Sequence, residues 1–275
     1  VLHGVYERLS KTGWPHREME RTRIQKMIQD LIQERSLFYA RAYGKGYVIL
    51  WEEWFRRLGH VIEDMVVLDQ EACVTQGWKP LWYEVEGTGH LPSWSHEGEE
   101  DLPIYGRVDR VDQGPPGQGL RVVDYKFSWS RAQTVFEPDF IAEAGQGKRL
   151  QAPFYAWLSS FRDGTAGPGT AATVEPVQAV EFRFLRPFQS PSIGAISVSA
   201  DAWTGEVGNQ LGQHLAGWVK ALQQGKFFFI TGAHCRDCAW ASACRSQHHP
   251  SWSRVQSLPL ARSFRLIKKQ RFPHA

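Results

Sequence analysis

Cysteine is scarce in this sequence: four residues in 275, three of them packed between Cys235 and Cys244. So few, so clustered, do not make the disulfide framework of a small secreted domain, and clustered thiols in a reducing compartment more often bind metal or react. A cytoplasmic setting is the expectation. Long apolar runs are missing as well. Segments such as Phe227 to Ile230 fall far short of the roughly 20 residues a membrane helix needs, so a membrane is not expected among the partners. Acid is absent from Ser251 onward, where Arg254, Arg262, Arg265, Lys268, Lys269 and Arg271 form a basic tail, and residues 1–250 are left with 26 basic against 29 acidic groups. Such a tail is compatible with a polyanionic partner and equally with a solvated terminus. Nor is there an initiating Met or a charged leader with an apolar core; the chain starts at Val1 and reads as a piece of something longer.

What is present is the composition of a folded protein. At 42% hydrophobic residues and 22% charged, with 12 Trp and 15 Phe, disordered and fibrous classes are excluded. The length suggests one to two domains. Ile24, Met27, Ile28, Leu31 and Ile32 recur at helical spacing, as do Leu50, Trp51, Trp54, Phe55, Leu58, Val61, Ile62 and Met65, so two amphipathic helices precede any strand. After Gly77 the period shortens, and strands are expected at Leu81 to Val85, Ile104 to Val111 and Leu120 to Phe127. The last two flank Gly114-Pro115-Pro116-Gly117-Gln118-Gly119, a hairpin connection. A helix from about Gln146 to Phe161, a Gly- and Thr-rich linker from Asp163 to Gly169, a strand from Ala179 to Leu185 and a long helix from Trp203 to Gln224 follow. The last is expected despite glycines that cost about 1 kcal/mol each. The order implies one α/β unit with a mixed sheet and a helical layer.

Chemistry concentrates on the expected hairpin. Period-2 alternation puts Asp124 and Lys126 on the same face of one strand, and pairing could bring Asp109 beside them. Two carboxylates and an amine suit phosphodiester hydrolysis, in which carboxylates hold Mg²⁺ or Mn²⁺ and a lysine orients the attacking water. The alternative is bland: Asp109 and Asp112 as turn residues, Asp124 and Lys126 as a surface pair on an edge strand. Against it, a carboxylate inside Val122-Val123-Asp124 costs free energy unless it is paired or metal-bound.

Gly106-Arg107-Val108-Asp109-Arg110-Val111-Asp112, followed by Val122-Val123-Asp124-Tyr125-Lys126, resembles the active-site core of the PD-(D/E)xK nuclease superfamily in its RecB/AddB-type branch. Gln151-Ala152-Pro153-Phe154-Tyr155 is similar to the branch's Gln-x-x-x-Tyr motif. Leu2-His3-Gly4-Val5-Tyr6-Glu7 and Pro80-Leu81-Trp82-Tyr83-Glu84 resemble its first-helix His and its Pro-x-x-x-Glu segment. Five elements stand in family order across roughly residues 1–245. The resemblance implies a restriction-endonuclease-like α/β fold, a mixed sheet flanked by helices after an N-terminal helical region. It divides the chain into one domain at 1–250 (helical region 1–76, catalytic core 77–187, helix and Cys cluster 188–250) and a tail at 251–275. It also implies that His3, Asp109, Asp124 and the Tyr125 carbonyl ligate Mg²⁺ or Mn²⁺, that Lys126 orients water, and that Glu84, Gln151 and Tyr155 support the site or contact DNA. Taken singly, His3 reads as an exposed residue near a terminus, Glu84 as a solvated strand residue, and Gln151 and Tyr155 as polar positions of an amphipathic helix.

Cys235-x2-Cys238-x5-Cys244 suits an iron–sulfur cluster or Zn²⁺. In the family resembled, one Cys upstream of the first-helix His joins this trio around a [4Fe-4S] cluster. Here only Val1 and Leu2 precede His3, so the fourth ligand is missing from its usual place; Cys73 and His248 are the remaining options, Cys73 reading otherwise as a small buried hydrophobe. Of the aromatics, Trp129 alone is left as one that could face substrate; the rest read as core. The expected activity is a metal-dependent deoxyribonuclease, an exonuclease or end-processing module for DNA repair or recombination, working with a helicase domain or subunit. The alternatives are an inactive DNA-binding scaffold of the same fold and a CRISPR-adaptation-type nuclease.

Overall fold

The computed structural model describes residues 2–12, 14, 20–43, 48–92, 102–127, 137–147, 149–162, 175–186, 193–226, 231, 235–236, 238–245, 248–259, 261–262 and 265, with the side chains at 2–3, 10, 36–37, 39–43, 48–51 and 137 left aside. Helix α1 (Leu2–Ser10) precedes α2 (Arg21–Tyr43) and α3 (Val48–Gln76). Val5, Tyr6 and Leu9 of α1, Ile24, Ile28 and Leu31 of α2, and Phe55, Leu58, Ile62, Met65 and Val66 of α3 are all buried in one cluster. Their spacing is that of apolar stripes on helices, and burying those stripes against each other is what makes this layer helical. α1 is the helix that the apolar spacing alone did not announce.

The chain then builds a six-stranded sheet in the order β4-β1-β2-β3-β5-β6. Its strands are β1 (Lys79–His90), β2 (Pro103–Gln113), β3 (Leu120–Phe127), β4 (Leu158–Arg162), β5 (Val177–Leu185) and β6 (Ile193–Ser199). Neighbours run antiparallel except β3 and β5, which are parallel. The sheet is therefore mixed, as expected. The β2–β3 hairpin closes through Gly114 N–H to the Gly119 carbonyl at 2.8 Å. Gly119 has φ +60°, and a Cβ there would lie 2.7 Å from the Pro176 carbonyl oxygen, so this corner of the turn requires glycine.

Strand β3 is central. Its run Leu120-Arg121-Val122-Val123-Asp124 is buried throughout, because helices cover both faces. On one face Val122, Val180 and Phe182 join Val111, Phe140, Ala152, Tyr155 and Trp203 in a second cluster, under α4 (Glu137–Gly145) and α5 (Gln151–Ala156). On the other face Tyr125, Leu185 and Tyr83 meet α1 and α3. After a 3₁₀ turn at Ala200–Trp203, α6 (Glu206–Gln223) packs Leu211 and Leu215 beside Leu91, and α7 (His249–Ser257) lies beyond the cysteines.

The helix expected from Gln146 to Phe161 is corrected. α5 ends at Ala156 and the chain enters β4 at Leu158, where Leu158 and Phe161 are buried and Ser159 and Arg162 exposed, and the segment pairs with β1 through Phe161↔Gly87 and Ser160↔Thr88. Edge pairing outweighs the helical pattern that runs up to it. A further strand, β6, lies beyond residue 187, where the core was expected to end. The linker at 163–169 falls outside the described residues.

Candidate active site

Register brings the acidic groups into one row. β2 and β3 pair through Val111↔Val122 and Arg110↔Val123, so one step further Asp109 stands opposite Asp124. β1 and β2 pair through Tyr83↔Arg110 and Val85↔Val108, so Glu84 stands opposite Asp109. Three carboxylates thus occupy adjacent places on β1, β2 and β3. At this row the backbone ladder between β2 and β3 has ended, and the Tyr125 backbone N–H donates instead to Asp109 Oδ2 at 2.8 Å. A side chain has replaced the carbonyl that a continued ladder would offer.

Asp124 is 3% exposed, and a carboxylate so buried must find partners. Lys126 Nζ lies 2.6 Å from Asp124 Oδ2, two residues along on the same face. The Tyr155 hydroxyl donates to Asp124 Oδ1 at 2.9 Å, and Gln151 Nε2 donates to that hydroxyl at 3.4 Å. Gln151 and Tyr155 are one turn apart on α5, and Ala152 and Tyr155 anchor that helix in the core. Burial, with the Asp124 charge beside it, pushes the Tyr155 phenol well above the ordinary tyrosine range, so it remains a donor. Lys126 keeps about a third of its side chain exposed.

Glu84 carries φ 51°, the one positive-φ residue other than glycine among those described. For a glutamate that conformation costs on the order of 1–3 kcal/mol, and such strain clusters at functional sites. Its Oε2 lies 3.0 Å from Arg107 Nε. The carboxylate oxygens of this row suit a hard divalent cation. Among the described residues, no three His, Cys, Asp or Glu side chains close into a metal-holding group. His3 lies on α1, with its side chain outside the described residues, as is all of Trp129.

At the cysteine trio no metal-holding group closes among the described residues. Cys235, Cys238 and Cys244 are half-buried, and neither they nor Cys73 are in a disulfide. Cys73 is buried on α3, where burial raises its thiol and the charges of Arg110, Asp112 and Arg121 act on it in both directions. His248 stands at the N-cap position of α7 without a side-chain cap, its Nδ1 2.8 Å from Ser251 Oγ.

The reading of Asp112 as a turn residue is corrected. It is fully buried and holds Arg110 Nη2 at 2.8 Å and Arg121 Nη2 at 2.7 Å. Asp69, Glu181 and Arg183 are buried with them, and sequence reasoning missed this group. The available signal was charge alternating with apolar residues in Arg110-Val111-Asp112 and Glu181-Phe182-Arg183, on strands apolar enough to be central.

No curated protein matches the chain. Among solved structures, the crystal structure of SSO0001 aligns over 80% of this chain and 97% of its own, at 12% identity and TM-score 0.37, too loose a likeness to add to the argument. A family model described as the PD-(D/E)XK nuclease superfamily matches residues 1–245.

Proposed function

This chain belongs to the PD-(D/E)XK nuclease superfamily, and on that premise we propose that it is a metal-dependent deoxyribonuclease of RecB/AddB type. It hydrolyses phosphodiester bonds at or near DNA ends, in repair or recombination, alongside a helicase domain or subunit. The observation that carries this reading is the grip on Asp124: Lys126 at 2.6 Å on one oxygen and Tyr155 at 2.9 Å on the other, with Asp109 on the adjoining strand.

Asp109 and Asp124 would hold Mg²⁺ or Mn²⁺, with His3 and the Tyr125 carbonyl as further ligands. The ion supplies neutralisation of the charge that builds on the phosphoryl oxygens. The rest is the work of the chain's own groups. Lys126 orients the water that attacks phosphorus in line as the opposite P–O bond breaks, and its ammonium adds positive charge where negative charge develops. Tyr155, backed by Gln151, fixes the rotamer of Asp124, while the Tyr125 N–H fixes Asp109, so both carboxylates meet the ion without reorganising. Glu84 stands at the rim of this row, tethered by Arg107. Cys235, Cys238 and Cys244 would hold an iron–sulfur cluster or Zn²⁺ close to the basic tail.

The test is degradation of end-labelled linear single- and double-stranded DNA with Mg²⁺, Mn²⁺ or EDTA. Cleavage that needs the metal and leaves end-proximal fragments supports the proposal. An inert parent chain that still binds DNA supports the scaffold reading instead.

A further inference from the structure

Six charged side chains lie buried behind the sheet, on the face away from Tyr155, and they close into a ring. Arg110 Nη2 donates to Asp112 Oδ2 at 2.8 Å, and Arg121 Nη2 donates to the same oxygen at 2.7 Å. Arg121 Nη1 continues to Glu181 Oε2 at 2.9 Å, and Arg183 Nε meets Glu181 Oε1 at 2.6 Å. Arg183 then pairs with Asp69, which accepts from Arg110 Nη1 at 2.9 Å and closes the circuit. Three arginines alternate with three carboxylates, drawn from α3, β2, β3 and β5. The Tyr6 hydroxyl of α1 donates to Asp69 as well.

Stability alone does not account for this ring. Desolvating six charges is costly, and apolar replacements of buried ion pairs are often neutral or stabilising. What a closed ring of guanidiniums, one of them bidentate on Asp112, supplies is fixed orientation. Its link to the site is Tyr125, whose hydroxyl accepts from Arg110 Nη1 at 3.0 Å and whose ring stacks on Tyr6 with centroids 5.2 Å apart. Tyr125 is also the residue between Asp124 and Lys126, and its backbone N–H holds Asp109. Among the described residues the β2–β3 pairs end at Arg110↔Val123, while the pairing of β3 with β5 runs on to Phe127↔Leu185. At the catalytic row, then, β3 is held on the β2 side through Tyr125 and the Asp109 side chain.

We propose that the ring is a positioning device for the catalytic strand: Arg110, through the Tyr125 hydroxyl, sets the placement of β3 from Asp124 to Lys126 and thereby the two metal-binding carboxylates. Arg110 and Tyr125 act here as positioning residues from the far face of the sheet, opposing the grip of Tyr155 on the near face. The inference rests on the nuclease reading above. By the same contacts Tyr6 docks α1, the helix that carries His3 one turn earlier.

The experiment is Mn²⁺ binding to the whole chain without DNA, followed by electron paramagnetic resonance, with Tyr125→Phe, Arg110→Met and Asp124→Asn. Tyr125→Phe keeps the ring stack and removes the acceptor. Its Mn²⁺ affinity is expected to fall about tenfold, as for other residues that orient metal ligands, with kcat reduced, KM for DNA unchanged and Tm within about 4 °C of the parent. Arg110→Met is expected to lose at least as much affinity; if it does not fold, Tyr125→Phe decides. Parent-like Mn²⁺ affinity in folded Tyr125→Phe, with binding lost in Asp124→Asn, overturns the positioning role and leaves the nuclease reading standing. A parent chain that binds no Mn²⁺ overturns both.

Discussion

At the scale of single residues, the account turns on how a buried carboxylate is held. Asp124 has an ammonium on one oxygen and a phenol on the other, and these partners have different duties. Lys126→Ala removes the group proposed to orient water, and cleavage in Mn²⁺ is expected to fall by about 10²-fold or more, measured under single turnover. Tyr155→Phe removes only the hydroxyl donor, so a smaller loss, about tenfold, is expected. Because burial keeps the Tyr155 phenol protonated past the usual tyrosine pKa, its donor survives at high pH. The pH–rate profile of Tyr155→Phe should therefore run parallel to that of the parent up to about pH 10; an alkaline limb that vanishes in the variant would show that Tyr155 titrates in the working range. That Asp109, Asp124 and Lys126 lie close together was legible from their spacing on a hairpin, whereas Gln151 and Tyr155 are singled out by the resemblance to a Gln-x-x-x-Tyr motif and taken singly read as polar positions of a helix. The strained backbone of Glu84 was not legible. A positive φ leaves no mark on composition or period, and glutamate is among the residues least expected there.

At the scale of elements, α6 shows why a glycine-containing segment can still be a helix. A Cβ on Gly212 would lie 2.4 Å from the Pro92 carbonyl oxygen, whereas one on Gly217 would meet nothing within 4 Å. Glycine is needed at the first position for close approach and only weakens the helix at the second. Gly217→Ala is therefore expected to stabilise the chain by about 0.5–1 kcal/mol, and Gly212→Ala to destabilise it by about 1–3 kcal/mol. Urea unfolding of the two variants checks the opposite signs. The β2–β3 hairpin was legible from the turn formers at Gly114 to Gly119, and α2 and α3 from their apolar stripes. β4 was not, since Leu158 to Arg162 follows α5 with no Gly or Pro between them, and its strand state depends on the edge that β1 offers.

At the scale of the whole molecule, β3 is gripped from two sides: α5 and Tyr155 on one, the ring of Arg110, Asp112, Arg121, Glu181, Arg183 and Asp69 on the other. The ring joins the helical layer to the sheet, so breaking it should be felt globally. Asp112→Ala leaves Arg110 and Arg121 without their shared carboxylate, and a loss of about 3–5 kcal/mol is expected from leaving such buried charge uncompensated, read from the unfolding midpoint. A substitution tolerated within 1 kcal/mol would show that the ring is not the tie it is taken for. Alternation of charge with apolar residues on β2 and β5 marked Arg110, Asp112, Glu181 and Arg183 as buried, but not their pairing, because the ring's members come from four elements and span Asp69 to Arg183. Asp109, Asp124 and Lys126 are proposed to hydrolyse phosphodiester bonds together. The most direct measurement is single-turnover cleavage of end-labelled linear DNA in Mn²⁺ by the parent and by Asp124→Asn. The account predicts cleavage by the parent and a loss of about 10³-fold or more in the variant; equal rates in the two proteins would contradict it.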